Sequence, residues 1–105
     1  MYKEIERLEL VLNQGIKINL DELSFTEELA LIRIIEEIGG IAKAIVRFGV
    51  DLESLNNLWT YSIRTRDKIS HSYETLTIEP LISAVKDFPA LIKDIPKIKS
   101  LLKEI

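Results

Sequence analysis

Apolar residues recur along most of this chain at intervals of three and four, the spacing of a helix with one buried face. Residues 3–14 (KEIERLELVLNQ) place Ile5, Leu8, Val11 and Leu12 on one side, and Gly15 is the expected stop. Residues 15–24 read as a loop or short turn. Ile16, Ile18 and Leu20 alternate there, but no other segment offers a strand partner. A second helix is expected from Ser24 or Thr26 to about Phe48, with Glu27 and Glu28 suiting the positive end of its dipole. Gly49 closes it, with Lys43 and Arg47 near the negative end.

Leu29, Leu31, Ile32, Ile34, Ile35, Ile38, Ile41, Ala42, Ile45 and Val46 cover well over half of this second helix. A helix so apolar is buried on most sides. A small domain has little material to surround it, which favours a homodimer. Gly39-Gly40 interrupts the apolar run and marks either a close helix–helix approach or a kink.

A third helix is predicted over Leu52 to Ser72, broken by Thr75-Leu76-Thr77. Thr77 then caps a fourth, with Pro80 in the first turn, where its missing N–H costs little. This helix runs to Asp87 or Phe88. Pro89 starts a fifth that reaches the C-terminus, disturbed at Pro96. The pattern predicts a single all-α domain over residues 1–105, an up-and-down bundle of four to five helices with short connections.

Composition narrows the function classes. Of 105 residues, 47% are hydrophobic and 30% charged, a globular balance. No apolar run approaches the roughly 20 residues of a membrane span, and no basic-then-apolar leader opens the chain, so a cytoplasmic location is expected. The absence of Cys excludes disulfides and thiolate metal sites, and one His argues against zinc within one subunit. No metal or cofactor is expected. A net charge of −3 argues against a general nucleic-acid coat but leaves room for a local cationic site.

The candidate chemistry lies in RDKISHSY, residues 66–73. With Trp59 set at zero on a helical wheel, Leu55, Leu58, Ser62, Ile63, Ile69 and Ser70 fall between about −100° and +40°. Arg66, near about −20°, and Tyr73, near about −40°, fall in the middle of that stripe. Arg64 lands on the opposite face and reads as a solvated surface charge. A central Arg either pairs with a buried carboxylate or helix-end carbonyls, or binds an anion in a groove, since its planar fork matches phosphate oxygens. His71, beside the stripe near the helix end, is either a charge–dipole partner or a proton shuttle active near neutral pH. Tyr73 is either a core aromatic with its hydroxyl at the rim or a hydroxyl exposed beside the site. An Arg beside a His suffices to cleave RNA without metal: the 2′-hydroxyl attacks the adjacent phosphate, His71 moves the proton, and Arg66 stabilises the charge building on phosphorus. Separate acid and base roles need a second His, hence a two-fold dimer.

The same string resembles the Arg-x4-His-x-Tyr motif of HEPN-domain proteins, specifically the HepT-like toxins. IRIIEEIGGIAKAI (32–45) resembles that family's "IGEA" helix, WTYSIRTRDKISHSY (59–73) its motif helix, and DFPALIKDI (87–95) its closing "LP-x-L" helix. The resemblance implies a HEPN-like helical bundle dimerising through the motif helix. It implies a metal-independent ribonuclease toxin acting on RNA, with Arg66 and His71 as the catalytic pair and Asp67 in the supporting position after the Arg. It also implies an MntA-like nucleotidyltransferase antitoxin as partner, which silences the toxin by transferring AMP to Tyr73. Two positions depart from the family: Gly40 stands where "IGEA" members have Glu, and Asp67 where the family often has Asn. The departures keep open an alternative, a non-catalytic nucleotide-binding or partner subunit of the nucleotidyltransferase.

Overall fold

The computed structural model describes residues 1–71 and 78–104, apart from the side chains of Ser70, His71 and Ile78. Among the described residues, six helices follow in order: α1 Tyr2–Ile16, α2 Phe25–Phe48, α3 Leu52–Leu55, α4 Leu58–His71, α5 Ile78–Ile92 and α6 Ile95–Glu104. There is no strand among the described residues, so the all-α expectation holds. None of the helices is long and apolar enough to cross a membrane.

α2 is the central helix. Ser24 caps it: its side chain accepts from the Glu27 N–H at 3.2 Å, and the Glu27 carboxylate accepts from the Ser24 N–H, also at 3.2 Å. Gly49 ends it at φ 122°, a conformation open to Gly. Leu31, Ile35, Ile38, Ala42 and Ile45 enter the core. There they join Ile5, Leu8 and Leu12 of α1, Trp59 and Ile69 of α4, Phe88 and Leu91 of α5, and Ile95 and Ile98 of α6. Each buried Leu, Ile or Phe side chain among them contributes about 1.5–3 kcal/mol by leaving water.

Two expected boundaries change, at Asn56 and at Pro89. Gly15 lies in the last turn of α1, which ends one residue later as expected, and it is buried. A Cβ there would run into the Phe88 ring, so this glycine serves the contact between α1 and α5. The expected third helix is two, because Asn56 turns extended at φ −167° and ψ 125°. Its side-chain oxygen accepts from the Leu58 N–H at 3.1 Å, the local competition with helix that Asn offers. Pro89 does not start a helix but lies within α5. Its ring faces outward while Leu81, Ala84, Val85, Phe88 and Leu91 are buried. Packing of that face outweighs an interior-proline penalty of about 3 kcal/mol. The real break is the turn at Lys93-Asp94, after which Pro96 falls in the first turn of α6. Thr77, the expected cap, lies outside the described residues.

α1 and α2 are also clasped at the surface. Arg7 Nε and Nη2 donate to the two Glu37 carboxylate oxygens at 2.7 and 2.8 Å. The hydrogen bond from Arg7 holds the Glu37 carboxyl below its ordinary value of 4.5, against the opposing effect of partial burial. A depressed carboxyl pKa stabilises the fold above the unfolded value, and that contribution disappears as pH falls through the folded one. Glu37→Gln should therefore lower the melting temperature slightly at pH 7, with the gap to wild type closing in acid below 4.5. Melting curves at neutral and acidic pH check this.

Candidate functional site at the α2–α4 seam

Two anchors hold α4. Trp59 is fully buried, and its Nε1–H donates to Asp94 Oδ2 at 2.9 Å, tying α4 to the α5–α6 turn. The second anchor is the glycine pair of α2. A Cβ on Gly39 would overlap the Arg66 Cβ and stand 2.9 Å from the Ser62 carbonyl oxygen. No side chain fits there without displacing α4. The Gly39-Gly40 pair is thus a close approach, and the residue it admits is Arg66 itself.

Among the described side chains of α4, Trp59, Ser62, Thr65 and Ile69 are buried. Arg66 starts inside that face, between Trp59 and Ser62, where the wheel put it. Its long side chain then reaches out of the contact to 36% exposure. Its stem crosses Gly39, and Nε would lie 3.7 Å from a Cβ on Gly40, which is ordinary contact distance. The guanidinium therefore emerges where α2 and α4 meet, resting on bare backbone.

Asp67 lies beside it. Its Oδ1 accepts from Arg66 Nη1 at 3.2 Å and faces Lys43 Nζ of α2 at 3.9 Å. One exposed carboxylate oxygen thus faces two cations from two helices. An entering phosphate would meet the same cations and compete with Asp67 for them. His71 is the last residue of α4; its side chain lies outside the described residues, as does the whole of Tyr73. Among the sequence-predicted residues, the structure joins Arg66 and Asp67 directly.

Sequence reasoning assigned Lys43 only to the end of its helix. Its ion pair with Asp67 joins segments distant in the chain, though its place one turn after Gly40 was a usable signal. Arg64 and Lys68 point elsewhere, into a separate groove between α4 and α5.

The described residues form an all-helical protein in which Arg66 and Asp67 of one helix and Lys43 of another meet at one seam. Comparisons with protein-family models, curated proteins and solved structures found no match.

Proposed function

We propose that this chain is a metal-independent endoribonuclease of the HepT-like HEPN kind, the toxin of a toxin–antitoxin pair working as a homodimer. The observation that carries the reading is the seat of Arg66: a partly exposed side chain laid over Gly39-Gly40, five residues before the only His of the chain. Arg66 binds the non-bridging oxygens of the scissile phosphate, displacing Asp67, and stabilises the charge that grows on them. His71 removes the 2′-hydroxyl proton as that oxygen attacks phosphorus. The 5′-oxygen leaves and takes a proton from His71 of a second copy. The products are a 2′,3′-cyclic phosphate and a 5′-hydroxyl. Tyr73 is the acceptor through which an MntA-like nucleotidyltransferase silences the site: its hydroxyl attacks the α-phosphorus of ATP, and pyrophosphate leaves.

The test is incubation of the purified protein with RNA in EDTA, with the new ends analysed. Cleavage with cyclic-phosphate ends is expected. Intact RNA, or cleavage only when a divalent ion is restored, rejects the reading.

The Arg66–Asp67 contact favours a second reading, in which the anion site stays closed and the chain is a non-catalytic partner of the nucleotidyltransferase. That reading requires a tight complex with the transferase and no RNA cleavage. Toxicity in cells that depends on RNA cleavage rules it out.

A further inference from the structure

A second polar surface lies on the far side of α4 from Arg66. Tyr61, Arg64 and Lys68 follow one another at intervals of three and four, so they form one ridge. All three are exposed, Tyr61 with 40% of its surface in water. Glu79, Pro80 and Ser83 of α5 stand across from them, and the six residues line an open groove of about 500 Å³. Thr65 closes the floor; its hydroxyl already donates to the Tyr61 carbonyl at 2.8 Å.

The mixture of groups is selective. Arg64 and Lys68 stand one helical turn apart and offer two cations to phosphate oxygens. Tyr61, a turn before Arg64, offers a ring on which a base can stack. Glu79 and Ser83, on the opposite wall, are acceptors suited to sugar hydroxyls. An acidic peptide would use the cations but would meet Glu79 as a like charge and leave Tyr61 without a planar partner. Two cations against one carboxylate also leave the groove cationic on a chain of net charge −3.

We infer that the α4–α5 groove binds a ribonucleotide unit, its phosphates on Arg64 and Lys68, its base on Tyr61 and its ribose hydroxyls on Glu79. A free nucleotide and a single-stranded RNA both present this chemistry. The inference stands independently of cleavage at Arg66, because the two surfaces face opposite sides of α4.

The experiment is a nuclear magnetic resonance titration of the full chain with ADP, dADP, a ten-residue oligoadenylate RNA and a ten-residue polyglutamate. The RNA arm uses the His71→Ala background to prevent cleavage. Amide shifts at Tyr61, Lys68 and Ser83 are expected with ADP, with the RNA or with both; ADP alone identifies a free nucleotide as the source, and RNA alone a strand. dADP should bind severalfold more weakly than ADP if ADP binds. Arg64→Ala/Lys68→Ala should weaken binding by about tenfold or more and lower the salt dependence by one to two charges. Tyr61→Ala should weaken it by at least about fivefold, while Tyr61→Phe retains it. No shift with either ligand, shifts confined to Gly39–Lys43, unchanged affinity in the double variant, or equal binding of polyglutamate overturns the inference.

Discussion

His71→Ala should lower the rate of RNA cleavage by about 100- to 10,000-fold, the usual contribution of a positioned general acid or base. The loss should be this large because the chain has no second His and no Cys. No other type of side chain in it ordinarily changes charge between pH 5 and 8. In a homodimer the substitution removes both imidazoles at once, so the proton taken from the 2′-hydroxyl and the proton given to the 5′-oxygen lose their carriers together. Single-turnover cleavage in EDTA measures the rate, with circular dichroism and light scattering confirming fold and assembly. A variant cutting at the wild-type rate would remove His71 from the mechanism, whatever the activity of the parent protein.

The second large effect separates two neighbouring glycines. Gly39→Ala should destabilise the protein by about 1–3 kcal/mol, the range for overpacking a filled site, despite the better helix propensity of Ala. Its methyl would occupy the space of the Arg66 Cβ and press on the Ser62 carbonyl, so α4 must move away from α2. Gly40→Ala should be neutral, or stabilising by up to about 1 kcal/mol, since its methyl meets only the Arg66 Nε at 3.7 Å. Urea denaturation of the two variants measures the contrast. Under the nuclease reading, Gly39→Ala should also lose cleavage activity well beyond its loss of folded protein, because the seat of the guanidinium is displaced. Equal stabilities would mean that α2 and α4 do not meet at Gly39.

What was legible in the sequence was mostly local. Ser24 or Thr26 at one end and Gly49 at the other bracket α2, because caps act within a few residues; the structure selects Ser24. The core faces of α1 and α2 followed from spacing, since burial repeats with the helical turn. Arg66 was legible as an exception, a charge among apolar positions. Its actual setting was not, because the seat of its stem over Gly39 and the place of its head beside Asp67 depend on how α2 and α4 pack. Pro89 misled because proline breaks helices by intrinsic preference, and here packing of the buried face of α5 overrules it.

The sequence by itself thus determined an all-helical chain, the ends of its central helix, and a stretch holding its Arg and its single His five residues apart. Hydrogen bonding and side-chain periodicity within a helix operate over three or four residues, and a linear pattern records them. Tertiary structure alone decided that Gly39 is the floor under Arg66, that Lys43 shares the Asp67 carboxylate with it, and that Arg64, Lys68 and Tyr61 face a separate groove. These relations depend on how closely two helices approach and at what rotation, quantities set by the packing of whole surfaces rather than by neighbours in the chain.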